Sequence, residues 1–101
     1  MVVTSEISGD TLLVKVIGAV ETSEADILRS EFKKIILQKP QKVALDLSMV
    51  PTMGSVGIGK ILMFFKNLME NKSIFEIKGI HENLYSCFKV IKLDKLFPIS
   101  K

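Results

Sequence analysis

The sequence predicts one α/β domain: a mostly parallel, mixed sheet of four strands, with an N-terminal hairpin and about three helices packed mainly on one face. Apolar residues recur with the period of a strand in four short segments and with the period of a helix in three longer ones. The segments follow the order β-β-α-β-α-β-α, which is typical of parallel strands joined by right-handed crossovers. A chain of 101 residues has the length of one domain, so residues 1–101 are expected to fold together.

The first half of the chain contains the predicted hairpin and a helix. Residues 2–7 and 11–17 have strand composition, and the turn Ser8-Gly9-Asp10 joins them. Thr22-Ser23 is the candidate N-cap of the first helix, which should end before Lys39-Pro40. Its apolar residues fall on one helical face: Ala25, Leu28, Phe32, Ile35 and Ile36.

The second half repeats a strand–helix unit twice. Residues 43–47 are nearly all apolar, which predicts a strand covered on both faces, and residues 73–78 form the next strand. A helix from about Ile58 to Glu70 has one apolar stripe, made of Ile58, Ile61, Leu62, Phe65, Leu68 and Met69. A last helix over about 82–91 is expected to bury Leu84, Cys87, Phe88 and Ile91.

Composition argues against several classes of function. The net charge is +3, but the lysines are dispersed and Arg29 is the only arginine, so no nucleic-acid partner is expected. A single cysteine allows no internal disulfide and favours a reducing compartment. The sequence lacks a long apolar run and an N-terminal targeting pattern, so we expect a cytoplasmic protein that does not enter the membrane.

The junction between the strand at 43–47 and the following helix is the main candidate site. Residues 54–60 fit the phosphate-binding pattern G-x-x-x-x-G-K, but Ile61 stands where that motif needs Ser or Thr to hold magnesium. A nucleotide-hydrolysing loop is therefore disfavoured. Ser55 would lack the partners of a catalytic nucleophile, because His81 is the only histidine, and no residues have metal-ligand spacing. We expect no enzyme, no cofactor and no metal.

The same residues resemble the STAS domain family, especially bacterial anti-sigma factor antagonists. The family pattern is a strand ending in L-D-L-S, a spacer, D-S-[ST]-G and then L-G. Residues 45–48 match the strand, 54–57 stand at the D-S-[ST]-G position, and Ile58-Gly59 stands at L-G. Residues 18–21 resemble a G-x-[LIV]-D turn of the family, with Glu21 for aspartate, and residues 93–97 resemble its closing segment.

This resemblance implies a partner-switching function. In typical antagonists an anti-sigma factor that is also a serine kinase, with a histidine-kinase-like ATPase domain, phosphorylates a hydroxyl residue of this loop. The unphosphorylated antagonist binds that factor and frees the sigma factor; a serine phosphatase is a second implied partner. Because Val56 replaces the second hydroxyl residue and Gly54 replaces the acid, Ser55 is the only phosphorylation candidate at the motif.

Two functions stay open for this fold. One is an antagonist switched by phosphorylation of Ser55; the other is an adaptor without phosphorylation that docks a sensor, phosphatase or transporter component. Ser55 has a third, purely structural interpretation as a cap of the following helix. The expected partner-binding surface is the same for both functions and consists of Glu21, Thr52, Gly54, Ser55, Val56, Gly57, Lys60 and Met63. Gly57 and Gly59 are expected to allow close approach and unusual backbone dihedrals.

Overall fold

The computed structural model describes residues 1–101 as one α/β domain with a five-stranded mixed sheet. The strands are β1 Val2–Ser8, β2 Thr11–Ile17, β3 Lys42–Met49, β4 Ile74–Ile80 and β5 Ile99–Ser100. The helices are α1 Thr22–Leu37, α2 Ser55–Glu70 and α3 Glu82–Val90, followed by a 3₁₀ turn at Leu93–Lys95. None of the helices combines the length and the hydropathy that a membrane span requires.

The sheet confirms the predicted class and adds one strand. Its spatial order is β1-β2-β3-β4-β5, in which only the β1–β2 hairpin is antiparallel. The expected count of four strands was one too low. The missed strand, β5, has two residues and pairs with β4 through Ile77 and Ile99, which is too short a segment to show a strand period.

The helices cover one face of the sheet, as expected. Alternate residues of the strands join residues of all three helices in a single buried cluster. On β3 these are Val43, Leu45 and Leu47. The opposite face of β3 carries the partly exposed Asp46, and Lys78 of β4 lies near it on the same open surface. The prediction that β3 is covered on both faces was therefore wrong: only the small Ala44 made the strand look continuously apolar.

Helix α2 buries most of the predicted stripe and two residues beyond it. Ile61 and Leu68 are buried, and Ile58, Leu62 and Phe65 are packed against the core, as predicted. Gly57 and Phe64 are buried as well, and Met69 is exposed. The ring of Phe64 stacks on Phe32 of α1, with centroids 4.0 Å apart. The helix faces both α1 and the sheet, so its buried arc is wider and rotated relative to the stripe seen in the sequence.

The end of α3 also departs from expectation. Leu84 and Phe88 are buried as predicted, but Cys87 and Ile91 are exposed. The helix has nine residues, its buried residues are only the i, i+4 pair Leu84 and Phe88, and Ile91 lies beyond its last turn as the C-cap.

Strand β4 contains a bulge beside Asp46 of the open sheet face. The pairing of β3 with β4 shifts register between Leu45 and Leu47, and Gly79 takes φ of +110° there. A Cβ at Gly79 would lie 2.7 Å from Oδ1 of Asp46, which accepts the Ser48 N–H at 2.9 Å. Asp46, the acid of the L-D-L-S segment, is therefore a structural residue in this chain.

Candidate functional site

Two loops lie side by side at the carboxyl ends of β2 and β3. The first joins β2 to α1 and the second joins β3 to α2. The N–H of Val20 donates to the carbonyl oxygen of Thr52 at 3.0 Å, and the N–H of Gly54 donates back to the carbonyl oxygen of Val20 at 2.9 Å. Val20 also forms an isolated parallel bridge with Met53 and is fully buried. These contacts fix the start of α2 against the neighbouring loop.

Glu21 links the same two loops through its side chain. Its Oε1 accepts a hydrogen bond from the Thr52 hydroxyl at 3.1 Å, so these two residues of the expected partner-binding surface are in contact. Glu21, not Thr22 or Ser23, is also the N-cap of α1, and its own N–H donates to Oε1 of Glu24 at 3.0 Å. This hydrogen bond joins the N-cap residue to the first turn of α1.

Two hydrogen bonds shift the pKa of Glu24. The Ser23 hydroxyl donates to its carboxylate at 2.6 Å, and the Glu21 N–H donates to it as well. Both bonds favour the charged form, so the pKa of Glu24 is lowered. Glu24 thus carries negative charge beside the N-terminus of α1, where it also complements the helix dipole.

Ser55 is the first residue of α2, and Gly54 is the N-cap. Its side chain is exposed, and its hydroxyl makes no hydrogen bond within the chain, so Ser55 does not cap the helix. The first helical bond runs from the Ile58 N–H to the Gly54 carbonyl oxygen at 3.1 Å, which leaves the N–H groups of the first turn free. A free hydroxyl therefore stands at a positive helix end.

No acidic residue lies in the first turn of α2, but a carboxylate approaches it from the neighbouring loop. Oε2 of Glu21 would be 3.7 Å from a Cβ on Gly54. Glu21 thus supplies the negative charge nearest to the start of this helix.

The early start of α2 removes the phosphate-binding loop hypothesis. The helix was expected to begin near Ile58, but residues 55–60 are already helical. Gly57, Gly59 and Lys60 therefore lie along a helix instead of forming a loop that could surround a phosphate group.

The two helical glycines have different surroundings. A Cβ at Gly57 would lie 2.9 Å from both Met53 Cγ and Val20 Cγ1, so Gly57 does allow the expected close approach. A Cβ at Gly59 would meet nothing within 4 Å, so the expectation of close packing there was wrong. Neither glycine needs positive φ, because both lie inside regular helix.

The remaining predicted residues continue along the outside of α2. Val56 and Met63 are exposed and Lys60 is partly exposed, and their spacing of four and three residues places them on one stripe. The structure therefore brings Glu21, Thr52 and Gly54 together at the start of α2, with Ser55 beside them. Lys60 and Met63 lie farther along the helix. Phe64, which follows Met63 in the sequence, is a core residue at 1% exposure.

Some residues that matter for the site lie outside the predicted partner-binding surface. Val20 and Met53 hold the two loops together, and their role depends on a bridge between segments distant in sequence, which no local pattern indicates. His81 is far along the chain at the N-cap of α3, where its Nδ1 accepts the Asn83 N–H at 3.2 Å. No group of metal-ligating side chains is present.

Comparison with known proteins identifies the family. A sequence model described as STAS domain matches residues 2–101. The chain belongs to the STAS domain family. The match covers both loops and all of α2, so the site described above lies within the STAS domain.

Solved structures share this STAS fold at low sequence identity. An anti-sigma factor antagonist from Mycobacterium paratuberculosis superposes with a TM-score of 0.88 at 22% identity, over 97% of this chain and 83% of that one. The unphosphorylated anti-sigma factor antagonist SpoIIAA gives 0.81 at 14% identity, over 99% and 89%. The phosphorylated form of SpoIIAA, described as a Bacillus cell fate determinant, gives 0.75 at 14% identity, over 99% and 92%.

Proposed function

We propose that this STAS protein is an anti-sigma factor antagonist that binds a serine-kinase anti-sigma factor of the histidine-kinase-like ATPase type and is switched by phosphorylation of Ser55. The observation that carries the proposal is the exposed Ser55 hydroxyl, free of hydrogen bonds, at the first position of a helix held by two loops. The protein would act in the cytoplasm as a binding partner, without catalysis of its own.

Electrostatics explain how one phosphate would switch binding. A phosphoserine adds nearly two negative charges and three acceptor oxygens. At the start of α2 the free N–H groups and the helix dipole stabilise that charge in the unbound protein. On a surface buried against a partner, the same charge must be desolvated beside the Glu21 carboxylate, so the complex is destabilised.

Intact-mass analysis tests the switch. The purified chain is incubated with a candidate anti-sigma factor kinase and ATP, and Ser55→Ala and Ser86→Ala variants are treated in parallel. Ser86 is an exposed serine of α3 and is the matched control. We expect one added phosphate on the wild type and on Ser86→Ala, and none on Ser55→Ala. A modification that persists in Ser55→Ala would rule out Ser55 as the switch.

Calorimetry measures the effect on binding. Phosphorylated wild type should bind the anti-sigma factor much more weakly than unphosphorylated protein, and a serine phosphatase should restore binding. Equal affinity of the two forms would reject the switch even if Ser55 is modified.

Val56 favours a second candidate function. An exposed apolar side chain next to Ser55 suits a constitutive contact with a partner better than a surface that must accept a phosphate. In that case the chain is an unphosphorylated adaptor for a sensor, phosphatase or transporter component. The adaptor hypothesis predicts that Ser55→Ala binds normally and that Met63→Asp weakens binding. A folded Met63→Asp protein with unchanged affinity would exclude the α2 surface.

A further inference from the structure

A groove between α1 and α2 has the composition of a peptide-binding site. It encloses about 290 Å³. The buried rings of Phe32 and Phe64 lie beneath it, and Ile36 and Met63 add apolar surface. The residues that complete its lining are polar or charged: Arg29, Lys33, Lys60 and Asn67. Met63 is 55% exposed, which is a large exposed fraction for an apolar side chain at the edge of a groove.

All the charged residues that line the groove are cationic. Arg29, Lys33 and Lys60 line it, and no acidic residue does. The ion pairs of the chain, Lys34–Glu31 and Lys42–Glu76, involve none of these three cations. The larger cavity on the open sheet face, by contrast, is lined by two acids and two lysines. The groove is therefore the place where unpaired positive charge and apolar surface coincide.

The groove and Ser55 lie along the same helix. Met63 follows Ser55 by eight residues on α2, which corresponds to roughly 12 Å along the helix axis. Gly59 lies between them, and a Cβ there would meet nothing within 4 Å outside its own helix backbone. A partner segment that lies in the groove would therefore reach the start of α2 without crossing a raised side chain at position 59.

We propose that the α1–α2 groove binds an acidic amphipathic helix of the partner, with its apolar residues against Met63 and Ile36 and its carboxylates against Arg29, Lys33 and Lys60. The identity of that partner as an anti-sigma factor rests on the proposed function; the chemistry of the groove does not. A groove with a helix on each side and an apolar floor suits an amphipathic helix, and the unpaired cations specify acidic side chains along its edges.

A displayed library of helical peptides tests the chemistry without a known partner. Peptides of about 14 residues, or four turns, are selected on the wild-type chain and counter-selected on Arg29→Glu/Lys33→Glu. Enriched peptides should combine apolar residues spaced by three and four with Asp and Glu. Their binding should shift the amide NMR signals of Lys33 and Met63 and weaken with added salt. Neutral or basic peptides, peptides that map elsewhere, or no enrichment would overturn the proposal.

Charge reversal tests the groove with an anti-sigma factor that binds the wild type. Arg29→Glu/Lys33→Glu should weaken binding by about tenfold or more. The control, Lys89→Glu/Lys95→Glu, makes the same charge change on exposed residues outside the groove and should bind normally. If charge reversal unfolds the chain, Arg29→Gln/Lys33→Gln replaces it, with a smaller expected loss.

The outcomes separate the two proposals. Equal binding by the groove variant and its control would exclude the groove as the docking site and leave the proposed function intact. Selected acidic peptides in the groove, together with no binding by any anti-sigma factor, would support the groove and reject the proposed function.

Discussion

Alanine at Gly57 and at Gly59 should change stability in opposite directions, although both residues lie within two positions on one helix. At Gly59 a Cβ meets nothing within 4 Å, so alanine should only reduce the conformational entropy of the unfolded chain and improve helix propensity. The expected gain in the free energy of unfolding is up to about 1 kcal/mol.

At Gly57 the same methyl group would overlap two carbons. The distances of 2.9 Å to Met53 Cγ and Val20 Cγ1 are well inside the roughly 3.5–4.0 Å optimum for carbon pairs. Met53 can change rotamer, but Val20 is fully buried and held by the hydrogen bonds between the loops. Overpacking costs about 1–3 kcal/mol, and the propensity gain offsets part of it. We expect Gly57→Ala to lose about 1–2 kcal/mol of unfolding free energy.

Urea unfolding followed by circular dichroism measures both changes. For a domain of this size each kcal/mol corresponds to about 4–8 °C in Tm, so thermal melts provide an independent check. The two variants should lie on opposite sides of the wild type. If both are stabilised, the contact between the start of α2 and the Val20 loop is loose, and that loop does not position Ser55.

Three further predictions concern the stability of the fold that supports the site. Gly79→Ala should lower the free energy of unfolding by at least about 2 kcal/mol, because it combines φ of +110° with a Cβ 2.7 Å from Asp46 Oδ1. Urea unfolding measures this loss, and unchanged stability would contradict the bulge geometry. Phe64→Ala should lower the free energy of unfolding by about 3–5 kcal/mol, whereas Met63→Ala should change it by no more than about 0.5 kcal/mol in the same assay. Similar losses for the two variants would contradict the assignment of Phe64 to the core and Met63 to the surface. The lowered pKa of Glu24 means that its contribution to stability is present above the unfolded-state pKa and is lost as pH falls through the lower folded-state pKa. Glu24→Gln should therefore flatten the decline of stability in that acidic range, and an unchanged acid profile would show that these hydrogen bonds do not persist in solution.

The fold could be predicted from the sequence because its elements are strongly periodic and short turns separate them. The strand β5 escaped prediction because two residues carry no period, and tertiary pairing with β4 alone makes it a strand. The start of α2 was placed too late because glycine has poor intrinsic helix propensity. Tertiary packing outweighs that propensity at Gly57, where the absence of a side chain lets the helix approach Val20.

The candidate site was predictable only in part. Glu21 and Thr52 could be expected to meet, since loops at the carboxyl ends of adjacent parallel strands share one edge of the sheet. The common location of the three groove cations could not be predicted, because Arg29 and Lys33 come from one helix and Lys60 from another. Their common surface exists only through the packing of α1 on α2, which the stacked rings of Phe32 and Phe64 fix.

The geometry of Glu21 also bears on the missing acid of the STAS motif. The Glu21 carboxylate lies beside position 54, where its Oε2 would be in van der Waals contact with a Cβ at 3.7 Å. An aspartate at position 54 would bring a second carboxylate against the first, and like charges so close disfavour each other. In this chain the acid beside the helix end therefore comes from the neighbouring loop, where the Thr52 hydroxyl holds it. Both loops therefore lie at the start of α2, so under the proposed function we expect a partner that binds at Ser55 to contact Glu21 as well.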